Sequence, residues 1–118
     1  MSETHDPREA RMFVAMNKFK VNPGREADFE RVWAERDTYL DQVPGFAHFA
    51  LLRGDEAGDY ISHSTWESRG AFMAWTQSEA FRKGHAQGSL AGILAGPPAV
   101  SLYEAAITQD AGGPIQKQ

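Results

Sequence analysis

Cysteine is absent from this 118-residue chain. That absence excludes a disulfide framework, a thiolate nucleophile, Cys-ligated zinc and an iron–sulfur cluster. Any protein-bound metal must be held by His, Asp, Glu or Met. Basic runs are lacking too: Lys and Arg number 12 against 16 Asp and Glu, the formal net charge is −4, and nothing offers a footprint for a nucleic-acid backbone. No apolar stretch reaches membrane length. The opening Met1–Pro7 is polar and acidic, unlike the basic-then-apolar start of a secretory signal. The expectation is a soluble, cytoplasmic protein with no nucleic-acid or membrane partner.

What is present reads as one domain over residues 11–108, flanked by polar segments 1–10 and 109–118 that are expected to be flexible tails. Alternation predicts a first strand over Met12–Val21, with Phe13, Ala15, Asn17, Phe19 and Val21 on one face. Asn22-Pro23-Gly24 predicts a helix start, with Asn22 as N-cap and proline at the first helical position. Phe29, Val32, Trp33, Arg36, Tyr39 and Leu40 then recur at helical spacing and predict an amphipathic helix that stops near Pro44-Gly45. A second strand over Phe46–Arg53 is expected to place Phe46, His48, Ala50 and Leu52 on one face. A hairpin loop over 54–59 leads to a third strand from Tyr60 to Glu67. Ser68 and Ser78 cap two further helical segments, Arg69–Gln77 and Glu79 to about Gln87, before a last strand from Ala99 to Ile107.

The order βαββαβ is that of an α+β, ferredoxin-like sandwich. Helices cover one face of such a sheet. The other face suits pairing with a second copy, which would close a dimeric α+β barrel across a two-fold axis. A domain of about 100 residues buries only roughly 60–68% of its unfolded surface, so it gains from such pairing.

Asn17 interrupts an apolar strand face, and an unpaired buried amide costs roughly 1–3 kcal/mol. Its partner is either neighbouring backbone or something in a pocket. Phe72 and Trp75, three apart on one helix face, either pack the core or wall a flat aromatic pocket. His85 is flanked by Gly84 and Gly88, which strip side chains from the helix surface beside it, and Arg82 and Lys83 stand nearby. Those two cations either meet an anionic ligand or form a solvated basic face. His5 lies in the expected tail, while His48 and His63 on adjacent strands suit cross-strand or dimer contacts. No HxxxH or HExxH spacing, paired carboxylates, Ser/His/Asp set or Gly-rich phosphate loop occurs, which removes hydrolase, kinase and nicotinamide-enzyme readings.

Phe13-Val14-Ala15-Met16-Asn17, Ala71-Phe72-Met73-Ala74-Trp75 and Ser78-Glu79-Ala80-Phe81-Arg82-Lys83-Gly84-His85, with Asn22-Pro23-Gly24 and Pro44-Gly45-Phe46, together resemble the haem-degrading monooxygenases of the IsdG/HmuQ type, inside the antibiotic-biosynthesis-monooxygenase superfamily. The resemblance spans about residues 12–107. It implies a homodimer with one haem per subunit, His85 as axial ligand of the haem iron, Asn17 as distal hydrogen-bond donor and Trp75 as the bulk that ruffles the porphyrin. Phe72, Phe81, Gly84 and Gly88 complete the expected haem contacts. Haem is then both cofactor and substrate, opened with O2 and electrons from an external donor, such as a reductase, to a linear tetrapyrrole of biliverdin type, with release of iron. The alternatives are a cofactor-independent oxygenase of the same superfamily making quinones from polycyclic phenols, for which Asn17 and Trp75 would also serve, and a non-enzymatic haem carrier.

Overall fold

The computed structural model describes residues 12–86 and 89–117. The expected N-terminal tail and Gly88 lie outside the described residues. The elements are β1 (Phe13–Lys20), α1 (Glu26–Glu35), a 3-10 turn (Leu40–Gln42), β2 (Phe46–Arg53), β3 (Asp59–Trp66), α2 (Arg69–Thr76), α3 (Glu79–His85), β4 (Ala99–Glu104), β5 (Ile107–Gln109) and β6 (Ile115–Lys117). The main sheet is antiparallel, in the order β2-β3-β1-β4. This is the ferredoxin-like α+β arrangement expected from the element order, with α2 and α3 together in the place of the second helix.

β1 lies inside the sheet, paired with β3 along one edge and with β4 along the other. Its inward face carries Phe13, Ala15, Asn17 and Phe19, opposite Trp66, Ser64, Ser62 and Tyr60 of β3. Large rings therefore stand at both ends of the strand and small groups in its middle. The core divides accordingly. One cluster gathers Phe13, Ala15, Leu40, Trp66 and Phe72; the other gathers Phe19, Val21, Phe29, Tyr60 and Ile93. Phe13, Phe29 and Trp66 are completely buried, each contributing about 1.5–3 kcal/mol by leaving water.

Four local expectations need correction. Asn22 does not cap α1: Arg25 N–H donates to its carbonyl across a turn closed by Gly24 at φ +85°, and its side-chain amide donates to the Gly92 and Leu94 carbonyls instead. The helix stops at Glu35 rather than running on to Leu40. Asp37 Oδ1 accepts from Tyr39 N–H at 2.9 Å and Thr38 Oγ1 from Leu40 N–H at 3.3 Å, local bonds that outcompete the helical ones. The register shifts between Phe46 and His48, and this bulge at Ala47 separates Phe46 from His48, Ala50 and Leu52, turning it to the inward face against Trp66. Towards the C-terminus the strand expected to reach Ile107 ends at Glu104, opposite Phe13, where β1 begins. Beyond it, where a flexible tail was expected from 109, Ile107–Gln109 and Ile115–Lys117 pair as a separate two-stranded ribbon.

Both serine caps are as expected. Ser68 Oγ accepts from Ala71 N–H and Ser78 Oγ from Phe81 N–H, each at 3.1 Å, typically worth ~1 kcal/mol apiece.

Across α1 and the sheet, Glu30 binds both Arg53, through Nε and Nη2 at 2.8 Å, and the Tyr60 hydroxyl at 2.5 Å. The hydrogen bonds from Arg53, then that from Tyr60, hold its carboxyl at about 2 against an ordinary 4.5. Because the folded value is the depressed one, the stabilisation is present above pH 4.5 and is lost as pH falls towards 2. Glu30→Gln is expected to flatten the acid limb of the stability curve in that interval. Chemical denaturation of both proteins across it checks this; parallel acid limbs would show that the cluster contributes nothing.

Candidate active site

The sheet and helices do not close over the middle of β1. A cavity of about 320 Å³ lies there, at the lower end of the range for small-molecule sites. Asn17, Ser62 and Ser64 form its floor with Ala15. Phe72 and Trp75 of α2 and Phe81, Gly84 and His85 of α3 line it, as do Trp33 and Arg36 at the end of α1. The structure thus brings together six of the seven residues marked by the sequence: Asn17, Phe72, Trp75, Phe81, Gly84 and His85.

His85 lies at the end of α3, its ring stacked on Phe81 at 4.1 Å between centroids and tilted against Trp75 at 5.9 Å. Its Nδ1 sits 2.9 Å from the Phe81 carbonyl oxygen. A carbonyl can only accept, so Nδ1 carries the proton, and in the neutral ring Nε2 keeps a free lone pair. This is the arrangement of a metal-ligating imidazole whose other nitrogen is fixed by backbone.

Asn17 does not take the neighbouring-backbone option for its carbonyl group. Oδ1 is buried with no hydrogen-bond partner, and Trp75 Nε1 is in the same condition. Trp75 is wedged between Trp66, Phe72 and Phe81 at 4.8–5.9 Å, so it is at once core packing and pocket wall. Gly84, which lines the cavity beside His85, has a second role. A Cβ there would lie 3.2 Å from the Thr38 carbonyl oxygen, so its missing side chain lets α3 press against the loop after α1. Arg82 is turned away into an ion pair with Glu79 at 2.9 Å.

Trp33, Arg36, Phe49, Ser62 and Ser64 were not singled out as site residues. Trp33 and Arg36 were visible only as members of the apolar face of α1. The serines had a stronger signal, since Ser62 and Ser64 alternate with Trp66 and Tyr60 on an inward face and pose the same problem as Asn17.

Among the described residues no group of three or more His, Asp or Glu could hold a metal ion. A lone imidazole facing an aromatic slot suits instead a metal whose other positions are filled by a macrocycle. That fits haem, and the orphaned Asn17 and Trp75 atoms mark polar contacts that only a ligand or water can complete.

The family model for antibiotic biosynthesis monooxygenases matches residues 12–87. The chain belongs to that family. It is 35% identical over 105 residues to the mycobilin-producing haem oxygenase of Mycobacterium tuberculosis, a match covering 85% of this chain and 92% of the relative. Among solved structures, the Mycobacterium tuberculosis haem-degrader MhuD with two haems bound in its active site superposes at a TM-score of 0.67, with 26% identity and coverage of 83% and 99%. SnoaB, a cofactor-independent oxygenase from Streptomyces nogalater, superposes at 0.63, with 25% identity and coverage of 81% and 94%. The likeness to IsdG-type family members drawn from three short segments therefore extends over most of the chain.

Filling a buried unpaired carbonyl position with an apolar group of similar size removes a cost of about 1–3 kcal/mol. Ligand-free Asn17→Leu is accordingly expected to be more stable than the parent by roughly 1 kcal/mol, read from denaturant midpoints at unchanged slope. A less stable Asn17→Leu would show that the amide is satisfied within the fold.

Proposed function

We propose that this family member is a haem-degrading monooxygenase that binds haem through His85 Nε2, opens the porphyrin with O2 and an external electron donor to a linear tetrapyrrole, and releases iron. The observation that carries the proposal is the His85 hydrogen bond to the Phe81 carbonyl, which leaves Nε2 as the available ligand beside an aromatic slot. The mycobilin-producing relative, 35% identical, supports the substrate.

Bound haem supplies both the iron that activates oxygen and the macrocycle that is oxidised. The chain's own residues do the rest. Phe81 O–His85 Nδ1 fixes the ring plane and tautomer. Asn17 offers a hydrogen-bonding amide from the floor opposite the helices, with Ser62 across the strand pair. Trp75, held among the rings of Trp66, Phe72, Phe81 and His85, would set rigid bulk against a bound macrocycle and help exclude water.

We further assign this activity to a homodimer served by a reductase in the cytoplasm. Leu52 and Tyr103, 45% and 52% exposed, lie on the uncovered sheet face and support pairing there. No helix among the described residues is long and apolar enough to cross a membrane.

The relationship to SnoaB favours a second reading, a cofactor-independent oxygenase acting on a polycyclic phenol in the same cavity. Such an enzyme has no use for an imidazole with one nitrogen fixed and the other free.

One equivalent of hemin is expected to give a sharp Soret complex that His85→Ala weakens severely or abolishes; lack of a saturable wild-type complex would refute the haem assignment. With reductant in air, the wild-type Soret band should bleach, with or without catalase, as chelatable iron appears. Cycling between ferric and ferrous forms without bleaching would indicate a carrier. Asn17→Ala is expected to retain haem and turn over at least tenfold more slowly, in the range typical of a lost preorganised donor. Unchanged turnover would remove Asn17 from the chemistry.

A further inference from the structure

Oxygen chemistry in the cavity needs a supply of protons. A step that places one oxygen atom of O2 in a C–H bond and reduces the other to water consumes two electrons, taken from the external donor, and two protons, taken from bulk solvent. Among the described residues the cavity lining holds no Asp, Glu, Lys or Tyr to deliver those protons. Arg36 keeps its proton at any working pH. His85 has Nδ1 committed to the Phe81 carbonyl, and on the haem reading its Nε2 is committed to iron. Asn17 Oδ1 is buried, which leaves Nδ2 as the amide atom facing the cavity, and that atom donates without accepting.

A hydroxyl does both, giving up one proton as it takes another. Thr38, Ser62, Ser64 and Thr76 bring such groups to the lining. Three of them are already engaged. Thr38 Oγ1 accepts from Leu40 N–H at 3.3 Å, Ser64 Oγ accepts from Trp66 Nε1 at 3.0 Å, and Thr76 Oγ1 donates to the Met73 carbonyl at 2.7 Å. Ser62 makes no hydrogen bond with any described residue.

Its position suits the task as well. Ser62 is the Cα partner of Asn17 in the β1–β3 ladder, and directly opposed side chains on one face of an antiparallel pair stand about 4.5–5.5 Å apart at Cβ. One oxygen atom can therefore meet both the amide and the hydroxyl. Packing does not ask for that hydroxyl, since alanine would fill nearly the same space. Resting on the haem reading, we propose that Ser62 is the proton-relaying residue of the cavity floor. Asn17 Nδ2 holds an oxygen atom in place, and Ser62 passes its hydroxyl proton to the same atom. The Ser62 O–H bond breaks as the new one forms, and a proton from cavity water restores it, so the serine ends each transfer unchanged.

The test uses the hemin complex of the full chain and two readouts. Fluoride added to the ferric complex occupies the iron and accepts hydrogen bonds without any turnover. Ser62→Ala is expected to bind hemin as wild type does but to weaken fluoride by about tenfold, the yield of one charge-assisted hydrogen bond. Ser62→Thr, which keeps the hydroxyl, should recover most of that loss. With reductant in air, Soret bleaching in Ser62→Ala should slow by about tenfold or more and show a larger solvent deuterium effect than wild type, because proton delivery becomes the slow step. Wild-type fluoride affinity and bleaching in Ser62→Ala would overturn the relay. So would slowed bleaching with unchanged fluoride affinity and isotope effect, or a loss in Ser62→Thr as deep as in Ser62→Ala, since each is what a purely structural serine would give. If hemin binds and only these outcomes fail, the relay falls and the haem assignment stands. If wild type binds no hemin, the haem assignment falls and takes the relay with it.

Discussion

The rest of the molecule depends on how side-chain size is distributed along two paired strands. β1 and β3 place rings at both ends of their inward face, Phe13 with Trp66 and Phe19 with Tyr60, and small groups between them, Ala15 with Ser64 and Asn17 with Ser62. Helices resting on such a surface are held up at two points and cannot descend in the middle. Close packing is the rule in protein interiors, so an unfilled span of this kind is a built feature. The two aromatic clusters are the supports, and the cavity is the span between them.

The helices meet that span with equal economy. Asp37 and Thr38 break α1 through their own side-chain bonds, which frees the loop to pass under α3, where Gly84 admits its backbone at close range. The loop after α1 and the end of α3 are thus in direct contact at Asp37, Thr38 and Gly84, and Arg36 and His85 both line the cavity beside that contact. Polar atoms of Asn17, Trp33, Arg36 and Trp75 are left unsatisfied around the same cavity. Local rules of polar satisfaction fail here and are met elsewhere, for example at Glu30. Such a concentration of failures is what a binding site looks like before its ligand arrives.

Much of this was legible from the chain alone, for physical reasons that can be named. Alternation located the first three strands within one residue and the start of the fourth, because one sheet face is buried and a slip would expose it. Ser68 and Ser78 announced their helices correctly, since an N-cap is a local bond. Asn22 misled because its amide finds carbonyls at Gly92 and Leu94, some seventy residues away, a contact that no local pattern encodes. The bulge at Ala47 and the break after Glu35 escaped for a related reason: each is a competition between nearly equal local options, decided by packing. In the site, Asn17, Trp75 and His85 stood out as residues at odds with their surroundings or matched to a familiar arrangement. Trp33 and Arg36 looked like ordinary members of a helix face, and only the third dimension shows that their donor atoms have nowhere to go.

Arg36 has one more consequence, which concerns range. Among the described residues it is the only Lys, Arg, Asp or Glu in the cavity lining, inside a chain of net charge −4. The far field of such a molecule gives an acidic ligand no attraction, and at physiological ionic strength that field fades within about 8 Å in any case. Any selection by charge is therefore deferred to the cavity wall, where one half-buried guanidinium would act over contact distance. Collision is left unguided, and selection takes place at the wall.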